Sequence, residues 1–182
     1  MYPGQVLTCG EYATETDSVA ALLAIINRDH WLVRQEVRGW LLQPRMDTEG
    51  SGNPRIDMIL QPTRLLIEAG WRYGMVGIEC KRSGVKLGRV ISQAMDYTRC
   101  VWEMPSGIDV MTRMVFIWPC DNVKSDIESV MIQHRIGVAC LRHGGDRLRL
   151  RVGETVAYED LGPGLGARIA EMIPGGRKRG SR

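Results

Sequence analysis

Five apolar side chains stand in a row at 114–118, Met-Val-Phe-Ile-Trp, between Arg113 and Pro119. The run is short, rich in β-branched and aromatic residues, and closed by a proline, so it reads as a strand. A strand with one face in water alternates apolar and polar residues. This one does not, so both of its faces are buried. A chain that contains such a strand must cover a sheet on two sides, and helices are the usual cover.

The rest of the sequence supplies them. TETDSVAALLAIINRDH (14–30) has helical spacing at Val19, Leu22, Leu23 and Ile26, with Asp17 or Thr16 as the expected cap. WLVRQEVRGWLL (31–42) alternates as a strand, with Leu32, Arg34, Glu36 and Arg38 on one face and Val33, Gln35 and Val37 on the other. After a turn-like stretch come RIDMILQP (55–62), a connection at 63–74, and the strand MVGIECKR (75–82). In RIDMILQP, Ile56, Met58 and Leu60 are expected on one face and Asp57 and Ile59 on the other.

A loop and a helix are expected over 83–104, with Val90, Ala94, Tyr97 and Val101 as one stripe. A second helix over 121–135 would start at Asp121 or Asn122. Strands at 136–143 and 146–153 would form a hairpin around Gly144-Gly145, and GARIAEMI (166–173) a short helix. The order is α-β-β-β-α-β-α-β-β, an α/β fold with a central mixed sheet flanked by helices.

At 182 residues the chain suits a single domain. The expected division is an N-terminal loop at 1–15, the domain at 16–160 and a basic, Gly-rich tail at 161–182. Residues 163–182 hold Arg168, Arg177, Lys178, Arg179 and Arg182 against the single acid Glu171, while the whole chain is only +3. A basic tail suits a polyanionic partner. The longest uncharged apolar run, Val19 to Ile26, falls short of the ~18 residues of a membrane span. The start of the chain lacks a basic segment followed by an apolar one. Five cysteines (Cys9, Cys80, Cys100, Cys120, Cys140) include no CxxC pair, so reduced thiols and a cytoplasmic protein are expected.

Three residues converge on one chemistry. Asp57 lies on a strand, and 22 residues later Glu79, Cys80 and Lys81 lie on the next. Residues i and i+2 of a strand share a face, so Glu79 and Lys81 project together while Cys80 points into the core. If the strands are neighbours, Asp57 stands beside Glu79. Two adjacent carboxylates favour a hard cation, Mg²⁺ or Mn²⁺, that also accepts phosphate oxygens. The backbone carbonyl of Cys80 is a third candidate ligand. Lys81 would orient or deprotonate a water, or steady phosphate charge. Arg82, Lys86 and Arg89 follow with no acid among them, a path for a negative backbone.

RID (Asp57), GIECKR (Glu79, Lys81) and SQAMDY (Gln93, Tyr97) together resemble the PD-(D/E)XK nuclease superfamily, with the QxxxY element of its RecB-like branch. The resemblance spans about residues 16–142. It implies a restriction-endonuclease-like core (α-β-β-β-α-β) and metal-dependent hydrolysis of DNA. It makes Asp57 and Glu79 metal ligands, Lys81 the catalytic base or water-positioning group, and Gln93 and Tyr97 lining of the active site. An upstream glutamate often completes such sites; Glu36 is the choice and Glu15 the alternative. The proline of the family motif is displaced, Pro54 preceding Asp57 by three. Some RecB-like nucleases hold an iron–sulfur cluster through one early and three clustered late cysteines; the late cysteines here are dispersed, so no cluster is expected.

The expected function is therefore a nuclease of DNA repair, recombination or phage type, endonuclease or exonuclease, with DNA as partner and a further protein partner in such a pathway. A junction resolvase would need two active sites and hence a homodimer. A non-catalytic nucleic-acid-binding subunit on the same fold, and an RNA substrate, are the alternatives. LGPGLG (161–166) lacks the flanking strand and helix of a dinucleotide loop and reads as linker.

Overall fold

The computed structural model describes residues 12–42, 53–120, 123–142 and 146–174. The elements in chain order are α1 (Glu15–Ile25), β1 (Trp31–Leu41), β2 (Arg55–Pro62), α2 (Arg64–Glu68) and β3 (Val76–Cys80). Then come α3 (Leu87–Tyr97), β4 (Cys100–Glu103), β5 (Asp109–Val110), β6 (Met114–Trp118) and α4 (Ser125–Gln133). The chain finishes with β7 (Ile136–Leu141), β8 (Leu148–Val152), β9 (Thr155–Gly162) and β10 (Gly166–Ile169).

The ten strands make one mixed sheet in the order β10-β9-β8-β7-β6-β3-β2-β1-β4-β5. Only the neighbouring pairs β3–β6 and β6–β7 are parallel. The parallel neighbours are reached by crossovers, as they must be: β3 to β6 through α3 and the β4–β5 excursion, β6 to β7 through α4.

β6 explains the layering. Met114, Phe116 and Trp118 join one core, with Leu22 of α1 and Leu66 of α2. Val115 and Ile117 join a second core, with Val90 and Ala94 of α3 and Ile127 of α4. All five side chains are at most 1% exposed, so the uninterrupted apolar run is a strand between two helical layers. No helix among the described residues is long and apolar enough to cross a membrane.

Several expectations need correction. The α1 cap is Thr14, whose hydroxyl accepts from the Asp17 N–H while its own N–H donates to the Asp17 carboxylate. Asp17 is thus the far half of a capping box, not the cap. The helix expected over 83–104 ends at Tyr97, and Val101 leaves its stripe. Cys100–Glu103 is instead strand β4, paired with β1 through Gly39↔Trp102 and Trp40↔Val101. The cost of breaking the helix is met by long-range pairing, which has no local signature. Residues 166–173 are not a helix. Glycines 162, 164 and 166 have positive φ and reverse the chain, so that β10 pairs with β9 at the sheet edge. LGPGLG is therefore the end of a strand and a tight turn, and Ile173 beyond it is buried in the first core. The α4 N-cap is Lys124, whose side chain makes no capping hydrogen bond. Asp121, Asn122, Gly144, Gly145 and the basic run 177–182 lie outside the described residues; β7 and β8 do pair antiparallel.

The faces of β1 and β2 also depart from simple alternation. Val33 packs against the first core and Val37 lies in the second. Met58 and Leu60 lie in the first, while Ile56 joins Ile59 in the second. Glu36, between Val33 and Val37, has φ +53°, a left-handed conformation that reverses side-chain direction along β1. On β2 the change falls at Asp57. Ile56 then lies over Gly77, where an added Cβ would be 2.5 Å from the Ile56 Cδ1. Both strands therefore change face at one level, and Asp57 sits at that level.

Candidate active site

β2 and β3 pair antiparallel through Leu60↔Val76, Ile59↔Gly77 and Met58↔Ile78. One step further the backbone ladder stops and a side chain takes over: the Cys80 N–H donates to the Asp57 Oδ2 at 2.6 Å. Asp57 thus fills the fork between two strands and is held by the backbone of the strand that carries Glu79. This is the adjacency on which the sequence argument depended.

Glu79 is 1% exposed and Cys80 is fully buried in the first core, so the two side chains leave β3 in opposite directions. Lys81 Nζ lies 2.5 Å from Glu79 Oε1 and 3.1 Å from Glu15 Oε1. The other Glu79 oxygen, Oε2, is buried without a hydrogen-bond partner among the described residues. Burial, and then the charge of Asp57, push the Glu79 carboxyl up to about 8. Burial also raises Asp57, against the opposing pull of the Cys80 N–H and Lys81. Burial acts to lower the Lys81 ammonium, but Glu79 and Glu15 outweigh it and the net shift is upward. Lys81 is therefore a cation at neutral pH. The Cys80 thiol is driven far up by burial, which removes it as a nucleophile.

An orphaned, buried carboxylate oxygen beside a second desolvated carboxylate is costly in the folded chain. A divalent cation would satisfy both. The donors available are hard oxygens, which fits Mg²⁺ or Mn²⁺: Asp57, Glu79 and the backbone carbonyl of Cys80 at the end of β3.

The two upstream glutamates are placed differently. Glu15 reaches the cluster through Lys81. Glu36 instead pairs with Arg55 at 2.9 Å and touches Asp57 only as a weak, distant charge. It borders an open groove of about 740 Å³ along β1 and the β4–β5 turn, shared with Arg34, Arg38 and Glu103. Three contacts deliver Glu15. The Tyr12 N–H donates to the Ser83 hydroxyl, the Ser83 N–H returns a bond to the Tyr12 carbonyl, and the Trp118 indole N–H donates to the Ser18 carbonyl. These tie the start of α1 to the loop after Lys81 and to the end of β6. The Thr14 capping box is the local signal for Glu15: it places that residue in the first turn of α1.

Gln93 and Tyr97 lie one turn apart on α3, and the Gln93 amide donates to the Tyr97 hydroxyl at 2.7 Å. That hydroxyl donates to the Arg55 carbonyl at 2.6 Å. Tyr97 is buried in the second core, edge-on to Trp102, and burial with the Glu79 charge pushes its phenol well above the usual range. Its geometric action is to hold the start of β2, two residues before Asp57. Arg82, Lys86 and Arg89 are all exposed, Arg82 beyond the end of β3, Lys86 at the N-cap of α3 and Arg89 on its first turn.

No protein-family model, curated protein or solved structure matches this chain.

Proposed function

We propose that the chain is a metal-dependent nuclease that hydrolyses DNA phosphodiester bonds, built on a restriction-endonuclease-like core of α1, β1, β2, β3, α3 and β6. The observation that carries the reading is the cluster at the β2/β3 fork: the half-buried carboxylate of Asp57, the buried carboxylate of Glu79 with one oxygen unpartnered among the described residues, and a lysine bonded to its other oxygen. A buried, unpaired carboxylate oxygen is costly in a purely structural salt bridge, and a bound cation would relieve that cost.

Asp57, Glu79 and the Cys80 carbonyl would hold Mg²⁺ or Mn²⁺. The cation would supply a Lewis acid for the phosphate oxygens and lower the pKa of water. Lys81, kept charged by Glu79 and Glu15, positions water and offsets negative charge that builds on the phosphate; its raised pKa favours this over proton abstraction. Glu15 orients the Lys81 ammonium. Tyr97 and Gln93 fix the strand that bears Asp57. Arg82, Lys86 and Arg89 offer exposed positive charge next to the site for the incoming backbone. A role in repair, recombination or phage DNA processing, with a homodimer for a branched substrate, is part of the same reading.

The test is cleavage of linear duplex, single-stranded and four-way-junction DNA, and of RNA, with Mg²⁺, with Mn²⁺ and with EDTA. Metal-dependent cleavage that disappears in Lys81→Ala, while DNA binding persists, is the expected result. Binding without cleavage under every condition would replace this reading with that of a non-catalytic subunit.

A further inference from the structure

A second charged constellation lies across the sheet. Glu159 of β9 is 2% exposed, yet three guanidiniums converge on it. Arg149 Nη2 lies 2.6 Å from Oε1, Arg142 Nε 3.3 Å from Oε1, and Arg168 Nη1 3.3 Å from Oε2. Three positive groups against one carboxylate leave a net charge of +2 in the cluster. One guanidinium would suffice to neutralise a buried carboxylate, and each further one adds repulsion. The excess charge is not hidden either: the side chains of Arg142 and Arg168 are 41% and 66% exposed. The Arg149 Nε is buried with no partner among the described residues, so the cluster's donor capacity exceeds what those residues accept.

Register relates this cluster to the candidate active site. Cys80 pairs with Trp118, Ala139 with Leu150, Leu150 with Tyr158, and Tyr158 with Ile169. All of these pack in or against the first core, so they form one row across one face. The next row lies on the opposite face. It begins at Lys81, whose N–H donates to the Trp118 carbonyl, and continues through Cys140↔Arg149, Arg149↔Glu159 and Glu159↔Arg168. Arg149 and Arg168 therefore share a face and a level with Lys81, and Arg142, two residues beyond Cys140, reaches the same cluster through Glu159. At ~4.8 Å per strand, Arg149 is about 14 Å and Arg168 about 24 Å along the sheet from Lys81.

We infer that Arg142, Arg149 and Arg168 form a second phosphate-holding surface, which grips the backbone of a DNA duplex about four to seven base pairs from the scissile bond, at ~3.4 Å of axis per phosphate. The inference rests on the nuclease reading for the position of that bond. Glu159 acts as the anchor that fixes the guanidiniums before the nucleic acid arrives, which reduces the entropy lost on binding. Guanidinium forks suit phosphate oxygens, and the place of this cluster on the row that starts at Lys81 favours a polymer that spans both over a small anion.

The experiment measures duplex affinity by fluorescence anisotropy in EDTA, between about 50 and 200 mM salt, with a labelled duplex of well over seven base pairs. The Arg142→Ala/Arg168→Ala double variant leaves Arg149 on Glu159. It is expected to lower the slope of log K against log salt by about 1.8, at about 0.9 per lost phosphate contact. Arg142→Lys/Arg168→Lys, which keeps the charge, is expected to recover most of that slope. Arg64→Ala, on exposed α2 away from the row, is expected to change nothing. A wild type that binds and cleaves duplex DNA with a slope unaffected by the double alanine variant would overturn the arginine surface and leave the nuclease reading standing. A wild type that neither binds nor cleaves duplex DNA overturns both, and binding confined to RNA overturns the duplex assignment.

Discussion

Glu79→Gln, studied in the absence of divalent metal, is the sharpest probe of the cluster. Glu79 is 1% exposed, one of its oxygens is orphaned, and its carboxyl is raised from 4.5 to about 8. Because the folded value is above the unfolded one, the folded state holds a proton that the unfolded state releases between pH 4.5 and 8. The contribution of Glu79 to stability is therefore full below about pH 4.5 and falls as pH rises towards 8. At pH 7 the loss is set by the 2.5-unit distance from 4.5, on the order of 3 kcal/mol at ~1.4 kcal/mol per unit. Glutamine has no charge to desolvate, and its amide N–H can donate towards Asp57. The variant also removes a partner from Lys81, which keeps Glu15, so the net gain is smaller, about 1–2 kcal/mol. For a domain of this size that raises Tm by roughly 2–8 °C. The assay is thermal melting by circular dichroism in EDTA from pH 5 to pH 8. The variant should melt above the wild type at pH 8 and lose that advantage at pH 5. A variant less stable than wild type at pH 8, or a difference that does not change with pH, would refute the picture of an uncompensated buried carboxylate.

Metal binding should release close to one proton per site near pH 7, because the raised Glu79 carboxyl must ionise to coordinate; calorimetry in two buffers of different ionisation enthalpy reads this directly. Tyr97→Phe strips the Arg55 carbonyl of its donor and Gln93 of its acceptor, so it should destabilise by about 1–3 kcal/mol in denaturant titrations and slow cleavage by loosening the start of β2. Gly137→Ala places a Cβ 2.4 Å from the Arg151 carbonyl and 2.5 Å from the Phe116 ring. Neither neighbour can yield cheaply between paired strands, so a loss of about 3 kcal/mol or more is expected in the same titration.

Much of the candidate site was legible because it rests on short-range rules. Alternation along GIECKR separates Glu79 from Cys80, and α3 spacing brings Gln93 onto Tyr97; the distances agree with both. The uninterrupted run at 114–118 specified a strand buried on two faces and so a layered α/β architecture with a mixed sheet. What failed shares one feature. β4, β5 and β10 exist through pairing with β1, β4 and β9, and a segment that draws its stability from a partner strand, distant for β4 and across a short turn for β5 and β10, carries little of that in its own pattern. The same holds for Glu36 and Glu15. Glu36, on the first strand, is the sequence-based choice for the upstream glutamate and Glu15 the alternative, but Glu36 has a left-handed φ and its carboxylate pairs with Arg55, while Tyr12, Ser83, Ser18 and Trp118 dock the start of α1 beside Lys81.

The sequence by itself determined which residue types can do chemistry, their order, and the period that sends each to one face or the other. The tertiary structure decided which of them meet. The β2/β3 ladder ends at Met58, so the Asp57 carboxylate, not a backbone carbonyl, receives the Cys80 N–H. It also aligned Arg149, Glu159 and Arg168 with Lys81, across strands more than sixty residues away in the chain. The physical reason is that periodicity is a property of neighbouring residues, whereas burial, charge pairing and pKa depend on what other parts of the chain bring to the same place.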